Sequence, residues 1–453
     1  MLLLLGYLIG QNGLLRTLWR LFAFGVWLVL AVAWLGVLFT RPAAALALSV
    51  AWTLFYILWI LRARVWALVW RLWGYQISLW IPRRAWMWHF QFNSWPRLVF
   101  RLGLVFRDGH GLSRGTVRYP KGRWTLAGDN NGWTVVVNVL DGQSPADFIA
   151  HAETFAEAWG VHHVAGDSPK RGTVRLRAYI TDPLRTPLPA PPIPAETDFY
   201  SALLGMREDG QQWRERLLGR HLFIGAATGG GKGSVQWAVI RSLCPAIRAG
   251  ACEVWTVDPK AVEFAKGKWL WRRYAADPED IVELVERAAE LVATRRAAMA
   301  GDTRTHVPVP GDPYVLLNID ELAACTVYMS KDLVDRFNRA LGLILTQGRS
   351  LSVSVMAAVQ DPRKEIVPMR QLFTTRIVLR VDEVGQADLV LGGGATARGA
   401  HAHLIPADEQ TGAGIGYVNG DDRATPIRVR AGYTSDSDID RMCLTYAPAI
   451  TEP

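Results

Sequence analysis

Lys232 stands in the run Gly225-Ala-Ala-Thr-Gly-Gly-Gly-Lys232-Gly-Ser234, behind the apolar His221-Leu-Phe-Ile224 and ahead of a helix-like stretch over 235–243. A strand, a glycine-rich turn with a lysine and then a helix form a cradle for phosphate. The glycines at 229, 230 and 231 let backbone N–H groups converge on anionic oxygens. The helix N-terminus adds a positive dipole end, and Lys232 supplies a charge for the terminal phosphates. Ala226, Ala227, Thr228, Gly229, Gly230, Gly231, Lys232, Gly233 and Ser234 are therefore the candidate nucleotide-binding residues. The pattern G-x-x-x-x-G-K-[ST] asks for glycine at 226 and a hydroxyl at 233. Ala226 and Gly233 stand there, with Ser234 one place late. One residue along a helix is a rotation of about 100°, so Ser234 reaches a metal beside position 233 only with a local shift.

A second set lies 88 residues beyond Lys232, where Tyr314-Val-Leu-Leu-Asn-Ile-Asp320-Glu321 is an apolar strand ending in two carboxylates. Asp320 suits a Mg²⁺ ligand, and Glu321 a base that deprotonates attacking water, so hydrolysis of ATP is expected rather than binding alone. Gln360 follows the apolar run 353–359 and can contact a γ-phosphate or the water. Arg349 lies eleven residues before Gln360. It fits either a solvated, helix-capping arginine or a group for transition-state charge, often supplied by a neighbouring subunit. Val257-Asp258-Pro259-Lys260 ends another strand and reads equally as a metal- or strand-ordering element and as a turn. His401 and His403 form an H-x-H pair with no evident third ligand, and His162-His163 reads as a loop or strand edge. There is no G-x-S-x-G or H-E-x-x-H motif.

The elements that must position these groups alternate. Strands are expected over 222–224, 254–257, 314–319, 353–359 and 376–381, and helices over 233–243, 278–299, 331–346 and 385–391. That is the pattern of a parallel α/β sheet. A smaller α/β unit precedes it, with strands expected over 134–139 and 173–180 and a helix over 146–159. Six prolines within 183–194 mark a stiff extended boundary. The expected organisation is a membrane anchor (1–95), a small α/β domain (96–182), a proline-rich linker (183–196), a P-loop ATPase motor domain (197–435) and a short tail (436–453).

The anchor rests on charge and hydropathy. Residues 21–40 and 43–61 are runs of 20 and 19 residues without a charge, separated by Arg41-Pro42. Each is long enough to cross about 30 Å of hydrocarbon as a helix. Arginines flank the outer ends of this hairpin (Arg16 and Arg20; Arg62, Arg64 and Arg71), which puts both termini in the cytoplasm. The stretch 62–95, rich in Trp and Arg, reads as an interfacial segment. No acidic residue precedes Asp108, so the first 107 residues hold +11 and the remainder 9 − 11 = −2. The basic balance thus belongs to this N-terminal segment, and global charge gives no support for a nucleic-acid partner. Cys244, Cys252, Cys325 and Cys443 form no C-x-x-C pair and read as reduced, buried thiols.

Taken together the motifs resemble those of the FtsK/SpoIIIE-type DNA-pumping ATPases, and among them the TraB/TraSA-like conjugation proteins of actinomycetes. The resemblance is carried by Gly205-Met-Arg-Glu-Asp-Gly210, Leu218-Gly-Arg-His221, the loop with Lys232, Asp258-Pro-Lys260, Gly311-Asp-Pro313 and Ile319-Asp-Glu-Leu322. Gln347-Gly-Arg349, the run from Ala358 to Glu365, Thr375-Arg376 and Leu389-Val-Leu-Gly-Gly393 complete it, and 144–182 is similar to the unit preceding the motor in that family. It implies a RecA-like, ASCE-type P-loop domain, anchored in the inner membrane, that assembles as a homohexamer. The ring would thread double-stranded DNA using ATP and Mg²⁺, with other transfer proteins as partners. By position Lys232 is the phosphate lysine, Asp320 the metal residue, Glu321 the base, Gln360 the sensor and Arg349 the trans finger. A chromosome translocase at the septum, a coupling ATPase for single-stranded DNA or secreted protein, and a scaffold without turnover are the alternative readings.

Overall fold

The computed structural model describes residues 50, 90–108, 116–127, 131–363, 367, 369–419 and 425–448. The chain divides into two units, Met1–Trp86 and Met87–Pro453, and the second is described here. The expected hairpin over 21–40 and 43–61, apart from Val50, lies outside the described residues, as does 62–89. Among the described residues no helix is long and apolar enough to cross a membrane.

Helix α1 (Trp95–Arg101) opens with proline in its first turn, where the missing N–H is harmless. A short antiparallel pair follows, β1 (Phe106–Asp108) with β2 (Thr116–Arg118). The small domain is a four-stranded antiparallel sheet in the order β3-β4-β6-β5. Its strands are β3 (Gly122–Leu126), β4 (Gly132–Asn138), β5 (His163–Asp167) and β6 (Thr173–Tyr179). Between β4 and β5 run α2 (Pro145–Ile149) and α3 (Ala152–Trp159), so the single helix expected over 146–159 is broken at Ala150 and His151. Alternation along β4 and β6 buries Trp133, Val135, Val137, Val174, Leu176 and Ala178 against Phe148, Phe155 and Trp159. Trp95, the last residue of the expected interfacial segment, joins this core instead. It stacks on Phe155 at 5.7 Å, and its Nε1 donates to Pro120 O at 2.8 Å.

The motor is built on one large sheet. Its strands are β7 (Leu188–Pro189), β8 (Ala202–Arg207), β9 (Gln212–Glu215), β10 (Leu222–Gly225), β11 (Cys252–Val257) and β12 (Trp271–Ala275), then β13 (Tyr314–Ile319), β14 (Val353–Val359), β15 (Thr375–Leu379), β16 (Ile415–Asn419) and β17 (Ile427–Tyr433). They run in the order β12-β11-β13-β14-β10-β15-β16-β17-β8-β9, with β7 on β17. Pairing is parallel from β12 through β15. It turns antiparallel from β15 to β9, so the sheet is mixed where a parallel one was expected.

Every residue of β10, β13 and β14 is buried, as two covered faces demand. On one face lie α4 (Lys232–Arg248) and, later in the chain, Ile439, Met442 and Cys443 of the final helix. The other face is covered by α5 (Pro278–Met299), α6 (Leu322–Thr326), α7 (Lys331–Gln347) and α8 (Val384–Leu391). The proline-rich stretch lies on the motor: Leu188 and Pro189 pair with β17, and Pro191 O accepts from Arg241 Nε at 2.9 Å. The end of the chain forms α9 (Asp436–Tyr446), whose cap Ser435 accepts from Asp438 N through Oγ at 3.2 Å. All four cysteines are free and buried.

Candidate nucleotide site

Strand order brings the candidate groups together. β14 lies between β10, which leads into the glycine loop, and β13, which leads into Asp320. Gly225 is level with Val359, and Ile319 with Ala357, so loop, Gln360 and Asp320 leave the sheet at one edge. Two strand spacings separate β10 from β13, about 10 Å, a gap that a lysine in the first turn of α4 can bridge. Lys232 Nζ lies 3.0 Å from Asp320 Oδ1 and 3.6 Å from Glu321 Oε2, and it donates to Asp320 O at 3.0 Å. Gln360 N donates to Glu321 Oε1 at 3.3 Å, and Thr228 Oγ1 approaches Gln360 Oε1 at 3.5 Å. Thr228, Lys232, Asp320, Glu321 and Gln360 thus form one cluster within a single chain.

The loop is shaped by neighbours that carry no motif. Ala226 N donates to Val359 O at 3.0 Å and Ala227 N to Arg380 O at 2.8 Å. Arg380 Nη2 donates to Thr228 O at 2.7 Å. Gly231, at φ 90°, caps α4 in a left-handed conformation, and a Cβ there would meet Gly414 N at 2.3 Å; both facts require glycine. Above the loop opens a cavity of about 550 Å³, lined by 227–234, Glu263, Gln360 and Arg430 among others. Ser234 is among the lining residues, and its N–H donates to Gly231 O at 3.1 Å.

Glu263 and Arg380 were not among the groups singled out in the sequence. Glu263 Oε1 accepts from Trp237 Nε1 at 3.2 Å. Partial burial, and next the Asp320 charge, push its carboxyl above the ordinary range. It sits on the loop after β11, and Asp258 holds that loop: Asp258 Oδ2 accepts from Phe264 N at 3.0 Å and from Tyr274 OH at 3.2 Å. Of the two readings of Asp258, the ordering of the chain is the one these bonds perform. Asp320 Oδ1 and Glu321 Oε2 are buried, and the cation facing both is Lys232. Oxygen donors of this kind, with Glu263 beside them, fit Mg²⁺.

Arg349 is not part of this cluster. It precedes the first residue of β14, whereas Gln360 follows the last. At about 3.3 Å per residue the strand is roughly 20 Å long, so Arg349 cannot reach its own chain's loop. Its Nε donates to Gly219 O at 3.0 Å, and Arg216 and Arg296 line the same open surface. The histidines at 163 and 401 lie between the small domain and the larger one. Glu153 of α3 brings a carboxylate to the H-x-H pair, with Oε1 3.3 Å from His401 Nδ1; the three side chains offer ligand atoms within 4.8 Å of one another. His163 Nε2 lies 3.6 Å from Glu208 Oε2. Burial lowers His163 to about 3 and raises Glu208 to about 7. Beside them Arg428 donates twice to Asp182, at 2.7 Å each. Burial pushes the Asp182 carboxyl up, but these bonds outweigh it and hold the group at about 2.

Comparisons with known proteins agree with the motif resemblance. Residues 113–180 match the family model described as Actinomycete conjugal transfer protein N-terminal domain. The DNA translocase FtsK of Bacillus cereus is 23% identical over 243 residues, covering 49% of this chain and 29% of the relative. FtsK of Tropheryma whipplei is 23% identical over 247 residues, covering 49% and 31%. The chain therefore spans about 30% of the length of the curated relatives it matches. Among solved structures, the pCW3 conjugation coupling protein TcpA, monomer form with ATPγS, aligns at TM-score 0.49 and 14% identity, over 72% of this chain and 93% of that one. The cytoplasmic domain of the Thermomonospora curvata type VII secretion ATPase EccC aligns at TM-score 0.43 and 19% identity, over 59% and 33%. The chain is thus similar over about half its length to DNA translocases named FtsK, and over residues 113–180 to the N-terminal domain of actinomycete conjugal transfer proteins.

Proposed function

We propose that this chain is a membrane-anchored, ATP-driven translocase of double-stranded DNA, serving conjugative transfer of plasmid or integrative-element DNA. The observation that carries the reading is the cluster of Lys232, Asp320, Glu321, Gln360 and Thr228 at one sheet edge beneath a cavity. One strand, β14, lies between the loop strand and the acidic strand, and this order supports reading the domain as RecA-like and ASCE-type. In this proposal the loop N–H groups of 229–234 bind the phosphates, and Lys232 turns from Asp320 to the terminal phosphate. Glu321 takes the proton of the attacking water, and Gln360, bonded to Glu321 through its N–H, senses the γ-phosphate. Mg²⁺, which Asp320, Glu263 or Ser234 would hold, supplies charge neutralisation at the phosphates. Arg349, at the far edge of the sheet, serves the site of the next subunit in a homohexamer. The segment before Trp95 anchors the ring in the inner membrane with the motor in the cytoplasm, where it meets other transfer proteins.

The test is the nucleotide hydrolysis rate of the full chain with duplex DNA, single-stranded DNA or protein cargo. Stimulation by duplex DNA alone is expected. Stimulation by single strands or protein only would replace the cargo, and nucleotide binding without turnover under any condition would replace the motor by a scaffold.

A further inference from the structure

Position 233 is where the phosphate loop lacks the hydroxyl of its pattern, and a carboxylate stands there. A Cβ built on Gly233 would lie 2.1 Å from Glu263 Oε1 and 2.9 Å from its Cδ. A side chain at 233 and the end of Glu263 therefore compete for one space. In the common pattern the hydroxyl of this residue binds Mg²⁺. We propose that Glu263 supplies the metal oxygen that the loop lacks, so that Asp320 and Glu263 together hold the nucleotide's Mg²⁺, and that Gly233 is bare to admit it. The proposal rests on reading this site as a metal–nucleotide site.

Three further observations support it. Trp237 stands four residues after Gly233, on the same face of α4, and its Nε1 donates to Glu263 Oε1 at 3.2 Å, aiming the carboxylate across the first turn of the helix. The loop carrying Glu263 is tied down by Asp258, a buried positioning residue, through Phe264 N and Tyr274 OH. Asp320 is 2% exposed and its Oδ1 is held by Lys232 Nζ at 3.0 Å. Partial burial and then the Asp320 charge push the Glu263 carboxyl upward, so the two carboxylates are neighbours at the foot of the loop. Exchanging a neutral hydroxyl for a carboxylate adds one negative charge at the metal. Such a site retains a divalent cation even before nucleotide arrives, which a hydroxyl-bearing loop does only weakly.

The experiment uses the full chain and two readouts that need no turnover. Mn²⁺ binding without nucleotide is followed by electron paramagnetic resonance. ATPγS affinity is measured by calorimetry with Mg²⁺ and again with chelator. Glu263→Gln should weaken Mn²⁺ binding and the Mg²⁺-dependent gain in affinity by about tenfold or more, leaving affinity in chelator unchanged. Gly233→Ala keeps the glutamate but takes its space. It should cause the same loss without lowering the melting temperature, since alanine favours helix and the displaced group ends a flexible side chain. Gly233→Ser with Glu263→Ala should restore the Mg²⁺ dependence. The proposal is overturned if Glu263→Gln and Gly233→Ala both keep Mn²⁺ and the Mg²⁺-dependent gain, or if Ser234→Ala alone removes them. Failure of the underlying site reading is distinct: Lys232→Ala would then leave ATPγS affinity intact in chelator as well.

Discussion

Replacing Lys232 with alanine tests the cluster from its centre. The ammonium lies 3.0 Å from Asp320 Oδ1 and 3.6 Å from Glu321 Oε2, and the three side chains are 18%, 2% and 8% exposed. Removing it leaves two neighbouring carboxylates with no cation. Breaking a buried pair from one side costs about 3–5 kcal/mol. The cavity admits water to the lysine, which screens the pair, so a smaller loss of about 2–3 kcal/mol is expected without nucleotide. For a unit of this size 1 kcal/mol shifts the melting temperature by about 1.3 °C, so the motor transition should fall by about 3–4 °C. Added Mg²⁺ should recover part of this, because a divalent cation can take the ammonium's place. Loss of a charge-assisted phosphate contact of about 2–3 kcal/mol should weaken ATPγS binding by roughly 30–150-fold. Scanning calorimetry and isothermal titration on the full chain give both numbers. A variant that melts with the parent and binds ATPγS as tightly would refute the reasoning. Lower melting with unchanged affinity would make Lys232 a structural residue only.

Two further outcomes follow from other parts of the molecule. Rings mixed from Arg349→Ala and Glu321→Gln subunits should regain part of the hydrolysis that each homogeneous ring lacks, since Arg349 cannot reach its own site. No recovery at any mixing ratio would contradict a role in trans. His163, held to about 3 by burial, stays neutral in the folded chain while the unfolded chain takes up a proton below its ordinary 6.5. Its contribution is therefore full above pH 6.5 and lost as pH falls toward 3. Glu208, raised to about 7 by burial, has the opposite sign between its ordinary 4.5 and 7, so the two oppose each other from 4.5 to 6.5. The acid loss should emerge below pH 4.5, and His163→Gln should remove about 2 kcal/mol of it by pH 3. Urea midpoints against pH measure this, and parallel curves for parent and variant would count against a buried neutral His163.

Much of the motor's parallel half was legible because its cues are local. Runs such as 314–319 and 353–359 are apolar throughout, as strands covered on both faces must be, and Pro278 with Glu279 and Asp280 marks the start of α5. The antiparallel half was not legible. β17 reads Ile-Arg-Val-Arg-Ala-Gly-Tyr, yet it buries both arginines, because Asp182 and the carbonyls of Leu184, Arg185 and Gln410 lie against them. Those partners are up to 246 residues away, so alternation alone reads the strand as exposed. Trp95 was misassigned for the same reason: a tryptophan beside arginines looks interfacial until the small domain's core is closed around it.

The sequence by itself determined which chemistry the chain carries: a phosphate loop with Lys232, two carboxylates ending an apolar strand, and Gln360 ending another. Residue type and spacing along one strand or turn suffice for that, since each motif is a single local element. Only the tertiary structure decided who meets whom. Strand order places Lys232 on Asp320 and Glu321 across the intervening β14, and it sends Arg349 to the opposite edge. It also brings Glu263 into the space that Gly233 leaves open. That contact joins the loop after β11 to the first turn of α4, and no spacing within either segment encodes it. The missing hydroxyl is a property of the sequence, and the carboxylate in its place is a property of the fold.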